Sequence, residues 1–241
     1  LYCAMADLAY EYQDEGLLHA CEKLYDNIIK KRMYLTGGIG SSGAYERFTT
    51  DYDLPNDTNY AESCASIGLA LFCRRMLAIT GEEKYAETME CALMNTVTAG
   101  IALDGKSFFY VNPLEVWPDN CMDHTSMAHV KPVRQKWFGC ACCPPNIART
   151  LASLGEYVYA AEENDLWVNL FMGGEAEVSF GEIPVKAKVE TRFPFEGKVK
   201  LTLTADKEVN GTVRLRIPSY ADEISLSCDG KAVTAEAGSY T

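Results

Sequence analysis

The sequence predicts a two-part fold: helices packed as antiparallel pairs, in a bundle or helical toroid, followed by an antiparallel β-sandwich. Two changes of pattern carry that expectation. Apolar residues recur at three- and four-residue steps up to about residue 162, and from about Leu166 they alternate with polar ones. The predicted boundary therefore gives a helical domain over 1–162 and a β domain over 163–241. A third observation is bulk: at 48% hydrophobic, 241 residues suffice for one large domain or two smaller ones with their own cores.

The elements follow in order. Leu1-Tyr2-Cys3-Ala4-Met5-Ala6 already reads as helix interior, with no signal peptide ahead of it, so a piece of a longer protein is expected. Leu17-Leu18, Cys21, Leu24-Tyr25 and Ile28-Ile29 mark an amphipathic helix ending near Arg32. Ile67, Leu71 and Met76 mark another, broken by Thr80-Gly81; Tyr85, Met89, Leu93 and Val97 mark a third. Ile147, Leu151, Leu154 and Val158 predict a fourth, with Pro144-Pro145 suited to its first turn. Strands are predicted at 187–191, 198–203 and 212–217, separated by turn signals at Glu196-Gly197, Asn210-Gly211 and Asp229-Gly230.

A net charge of -12 and no Lys/Arg-rich run argue against nucleic acid or an anionic membrane surface as partner. No apolar stretch reads as the roughly 18 residues a membrane span needs. Ten cysteines are present, but Cys3, Cys21, Cys73 and Cys91 sit singly in helical patterns, as small buried thiols do. Scattered thiols in a large domain suit a reducing compartment, and the cytoplasm is expected.

The chemistry concentrates in two pieces, Glu62-Ser63-Cys64 and Cys140-Ala141-Cys142-Cys143 followed by Pro144-Pro145-Asn146. Several thiolates with one carboxylate are what a borderline-soft divalent ion such as zinc requires. Glu62 and Cys64 would point about 200° apart on a regular helix, so both reach one ion only from an extended helix start, capped by Asn59 or Ser63. The alternative is a helix-terminal Glu and a buried Cys. The helix after the diproline aims its positive end near Cys143, which should lower a thiol pKa. Gly38-Ile39-Gly40-Ser41-Ser42-Gly43 has the letters of a dinucleotide fingerprint but follows a helix instead of a strand. Its glycines read as a loop passing close to a ligand or to backbone. Glu46, beside Arg47, reads alone as a solvated surface residue. Phe108-Phe109-Tyr110, Trp117 and Trp137-Phe138 serve equally as core or as sugar platforms, and His124 and His129 are possible ligands.

Together these phrases resemble a known family. Tyr34-Leu35-Thr36-Gly37-Gly38-Ile39-Gly40-Ser41, Ala61-Glu62-Ser63-Cys64-Ala65-Ser66, Phe108-Phe109-Tyr110-Val111-Asn112-Pro113-Leu114 and Cys140-Ala141-Cys142-Cys143-Pro144-Pro145-Asn146 resemble glycoside hydrolase family 127, the β-L-arabinofuranosidases. So does Leu215-Arg216-Ile217-Pro218-Ser219-Tyr220-Ala221 in the β region. The resemblance implies a partial (α/α)6 barrel followed by a β-sandwich, with an N-terminal part of the barrel missing here. It implies zinc held by Glu62, Cys64, Cys142 and Cys143, with Cys142 as nucleophile of a retaining mechanism and Glu46 as acid/base. It places Tyr110 near the sugar of an arabinofuranoside-containing glycan. The alternatives are a non-catalytic zinc-stabilised carbohydrate-binding or scaffold protein, and a cysteine-rich redox protein. Glycan, linkage and oligomeric state are not encoded in these motifs.

Overall fold

Helical periodicity in the first part produces α1 (Tyr2–Glu11), α2 (Glu15–Lys31), α3 (Ser63–Thr80), α4 (Glu83–Cys91), α5 (Cys143–Ala152) and α6 (Gly155–Val158). The computed structural model describes residues 1–241 and resolves into two units, Leu1–Thr80 with Thr88–Leu151, and Gly81–Glu87 with Ala152–Thr241. In the first unit Asp14 caps α2, its Oδ1 accepting from the Leu17 N–H at 2.9 Å, and Lys30 and Lys31 close the other end against the helix dipole. Cys21, Tyr25 and Ile28 face inward at helical spacing. α1 packs on α2 and on α3, with Tyr2 and Phe72 rings 5.8 Å apart.

Three details of these helices differ from the sequence expectation. α4 does not run on to Val97 as an α-helix: Ala92–Val97 is a π-helical segment. The loop before Ile39 docks on it. Thr96 N–H and Oγ both bond the Thr36 carbonyl, and a Cβ at Gly37 would lie 2.6 Å from Ala92 Cα. Gly37, at φ 76°, is thus one glycine that lets backbone approach backbone. The fourth predicted helix is split, α5 ending at Ala152 and a single turn, α6, following. And α3 is long and apolar enough to match a membrane span, although none was expected; half of it is buried inside the protein, and Ile67, Phe72, Cys73 and Met76 are core residues.

In the second unit β1 (Tyr159–Glu162), β2 (Asp165–Val168), β6 (Thr212–Ile217) and β9 (Ser239–Tyr240) form one sheet, and β3 (Gly174–Phe180), β4 (Ile183–Thr191) and β5 (Val199–Ala205) a second. A short hairpin pairs β7 (Leu226–Cys228) with β8 (Lys231–Val233). The inward positions of β4, Val185, Ala187 and Val189, alternate with exposed ones, giving the expected period of two. Leu166, Val168, Phe171, Phe180, Val185 and Ala187 form a core shared by the two sheets, with Val213 and Leu215 against it.

The first sheet is not purely antiparallel, as β2 and β6 run parallel with Leu166 opposite Val213. The cause lies at Asn210-Gly211, which resembles a hairpin turn in sequence but here leads from β5 of one sheet into β6 of the other. Thr212 N–H bonds the Asn164 carbonyl at 2.9 Å, and a Cβ at Gly211 would sit 2.2 Å from that oxygen. Asp229-Gly230, at φ 48° and 77°, does form the tight β7–β8 turn. In this unit Arg216, fully buried, pairs with the nearly buried Glu83 at 3.0 Å.

Candidate functional site

Local structure resolves the geometric problem of Glu62 and Cys64. α3 begins only at Ser63, and Glu62 lies outside it in an extended bridge to Val111, preceded by Ala61 at φ 36°. Several bonds fix this start. Gly40 carbonyl accepts from the Tyr60 and Ala61 N–H groups, Ser63 N–H donates to the Tyr110 carbonyl at 3.0 Å, and Asn112 Nδ2 donates to Ala61 carbonyl and Ser63 Oγ. Ser63 Oγ itself donates to the Phe109 carbonyl, and Asn59 Nδ2 to those of Pro55 and Asn56, so these groups serve the loop rather than cap the helix.

Cys142 immediately precedes α5 and Cys143 opens it. Pro144 and Pro145 occupy its first turn, where their missing N–H groups leave no intrahelical bond unmade. Cys143 is fully buried against Ile67, Val97, Phe108 and Ile147, whereas Cys142 is exposed.

The ligand atoms of Glu62, Cys64, Cys142 and Cys143 all lie within 4.8 Å of one another. Cys64 Sγ is 3.4 Å from Cys142 Sγ and 3.5 Å from Cys143 Sγ, and both latter thiols reach Glu62 Oε1 at 3.5 and 3.4 Å. Sulfurs bound tetrahedrally at about 2.3 Å from an ion stand roughly 3.8 Å apart. Three sulfurs and one oxygen at these separations therefore fit a divalent metal. His124 and His129 are not in the cluster: His129 Nε2–H donates to the Asn59 carbonyl at 3.0 Å, and His124 is exposed.

Without a cation the four groups cannot all be charged. Hydrogen bonds from Cys143 above all, and from Asn146 and Cys142, outweigh desolvation and bring Cys64 down to about 7. That makes its neighbours harder to ionise. The Cys143 thiol is pushed far up by its bond to Cys64 and by burial. For Cys142 the Tyr110 hydroxyl pulls downward, but desolvation and the Cys64 thiol prevail and it rises to about 11. The lowering expected for Cys143 from the α5 N-terminus is thus overridden by three thiols and a carboxylate competing for one site.

The surrounding residues form a wall on one side of the cluster. Tyr110 bonds Cys142 through its hydroxyl, which also accepts from Cys140 Sγ at 3.6 Å. Its ring packs on Phe138 (5.4 Å) and Tyr60 (6.3 Å). Phe108 belongs to the core, while Trp117 and Trp137 are more than half exposed. Glu46 sits at the tip of a short hairpin closed by Ser42 and Arg47, and Tyr60 Oη–H donates to its Oε1 at 3.1 Å. Two residues here had no role in the sequence reading. Asn146 bonds Cys64 while Arg149 holds its Oδ1 at 2.5 Å, and its place in the first turn of α5 was the available signal. Tyr60 had none.

Known proteins resemble this chain. Residues 3–156 match the family described as Beta-L-arabinofuranosidase, GH127 catalytic domain, and residues 165–241 the corresponding GH127 middle domain. A curated non-reducing end β-L-arabinofuranosidase of Bifidobacterium longum subsp. longum is 40% identical over 224 residues, 90% of this chain and 33% of that protein. Among solved structures, a GH127 β-L-arabinofuranosidase from Geobacillus stearothermophilus T6 aligns over 100% of this chain and 38% of its own, with TM-score 0.92 and 47% identity. A GH127 β-arabinofuranosidase aligns over 99% and 38%, with TM-score 0.87 and 34% identity. The chain spans about a third of the length of the curated relative it matches.

Proposed function

The chain belongs to glycoside hydrolase family 127, and from that membership we propose that it is part of a retaining glycosidase releasing L-arabinose from β-L-arabinofuranosides. The observation carrying the proposal is the convergence of Glu62, Cys64, Cys142 and Cys143 within 4.8 Å. In this reading the helices are one portion of an α/α toroid, residues 1–162 being the C-terminal half of the catalytic domain and residues 163–241 part of a β-sandwich domain. Ten cysteines outside any disulfide suit a cytoplasmic setting.

Glu62, Cys64, Cys142 and Cys143 would hold zinc, which would keep the thiols ionised near neutral pH. Of the three sulfurs, Cys142 is exposed, Cys64 half-buried and Cys143 sealed in the core, so Cys142 is the sulfur most open to a sugar. Its Sγ attacks the anomeric carbon as the bond to the leaving oxygen breaks, and Glu46 gives that oxygen its proton. Glu46 then takes a proton from water, the water oxygen bonds the anomeric carbon, and the carbon–sulfur bond breaks to return the Cys142 thiolate. Two displacements at one carbon retain its configuration. Tyr110, bonded to Cys142, lies beside the sugar and steadies the sulfur lone pairs for attack.

The test is turnover of an aryl β-L-arabinofuranoside by the full-length protein, with metal content measured in the same samples. Cys142→Ser and Glu46→Gln should each lose turnover, by more than about a thousandfold for the nucleophile, while Glu46→Gln keeps its metal. Unchanged turnover in Glu46→Gln refutes the acid/base assignment. A wild type that holds one metal yet hydrolyses no arabinofuranoside favours the non-catalytic zinc-stabilised reading.

A further inference from the structure

The hairpin that carries Glu46 is an unpromising mount for a proton donor. Glu46 is exposed, and both it (φ 49°) and Tyr45 (φ 61°) adopt left-handed backbone, which costs energy for residues with side chains. The turn itself is thinly held, by a 3.5 Å bond from Glu46 N–H to the Gly43 carbonyl and by the Ser42–Arg47 pairing. A long, flexible side chain in that position loses rotamer entropy when fixed for reaction.

Tyr60 is mounted in the opposite way. Its N–H bonds the Gly40 carbonyl, and its ring meets Tyr110 edge-on at 6.3 Å and His129 at 5.9 Å. His129 is itself tied to the Asn59 carbonyl. The ring also packs against the cluster of Val111, Met127 and Val130. Gly43 closes the remaining face, since a Cβ there would stand 3.0 Å from Tyr60 Cδ2. From this rigid seat the hydroxyl reaches Glu46 Oε1 at 3.1 Å.

We propose that Tyr60 is the positioning residue for the acid/base: by donating to Glu46 Oε1 it locks the carboxyl group and reserves Oε2 as the oxygen that exchanges the proton. The proposal rests on the acid/base reading of Glu46. In the first step the Oε2 proton passes to the departing oxygen, and in the second Oε2 takes a proton from water; Tyr60 keeps its own proton throughout.

The experiment compares kcat/KM over arabinofuranosides whose leaving groups range from a nitrophenol to a simple alcohol, in the full-length protein with metal content and melting temperature recorded. A poor leaving group needs protonation and a good one does not. Tyr60→Phe keeps the ring and removes one hydrogen bond, so it should lose about tenfold on alcohol leaving groups, with the loss shrinking as the leaving group becomes more acidic. Gly43→Ala, which displaces the same ring without touching the hydroxyl, should reproduce that trend more weakly. Equal losses for every leaving group in both variants, or no loss in Tyr60→Phe, overturn the proposal. Glu46→Ala separates the two readings. If it flattens activity on alcohol leaving groups while Tyr60→Phe does not, the acid/base stands and the positioning role falls. If Glu46→Ala is itself indifferent to the leaving group, the acid/base reading falls.

Discussion

Two carboxylates in this protein are buried to nearly the same degree, Glu62 at 7% and Glu83 at 8% exposure, and their surroundings are opposite. Glu83 is met by Arg216, a cation the chain supplies and buries with it. Glu62 is met by thiols, which can join it in ligation but cannot neutralise it without a further positive charge. One site carries its own countercharge and the other could hold an ion. Burial of charge alone therefore does not distinguish a structural pair from a chemical centre; the identity of the partner does.

The first test separates them through folding. Arg216→Met removes the cation that faces buried Glu83 at 3.0 Å and should cost about 3–5 kcal/mol, whereas changing both residues to apolar ones should recover most of it. Urea unfolding of the three proteins measures this, and a single-variant loss below about 1 kcal/mol would mean that water reaches Glu83. Next comes the open site. Zinc–thiolate sites are worth about 10–16 kcal/mol over four ligands, so removing one donor with Glu62→Gln should weaken metal binding by at least about a hundredfold. Competition with a chromophoric chelator reads this, and an unchanged affinity would remove Glu62 from the ligand set.

The last test is in pH. Without metal, Cys142 at about 11 and Cys143, raised further, both hold their protons at neutral pH, so binding an ion must displace two. Affinity should thus fall as pH falls, by about tenfold per unit for each displaced proton, with Cys64 adding a third below about 7. The same competition run from pH 6 to 8 tests the sign. A flat profile would show that the thiols are already ionised before metal arrives.

How much of this was legible depended on how local the determinants were. Cys142-Cys143-Pro144-Pro145 is a self-contained phrase: adjacent donors and a helix start that proline tolerates, all within four residues. Glu62 and Cys64 were legible only conditionally, because their separation demanded an extended helix start that Val111, Tyr110 and Asn112 impose from about fifty residues away. Tyr60 was invisible, one of 14 tyrosines whose reach to Glu46 follows from how two loops meet. In the β region, alternation located β4, β5 and β6 well. The parallel partnership of β6 with β2 was not legible, because Asn210-Gly211 carries the letters of a hairpin while its geometry is decided by the Asn164 carbonyl it must skirt.

Glu62 and Cys142 are 80 residues apart along the chain, so an ion seated between them acts as a removable cross-link. Closing a loop of that size in the unfolded chain is worth roughly 4–5 kcal/mol in the polymer picture used for disulfides. Chelation would then open that loop as well as empty the site. Loss of the ion and loosening of the loop from α3 to α5 would then become one event.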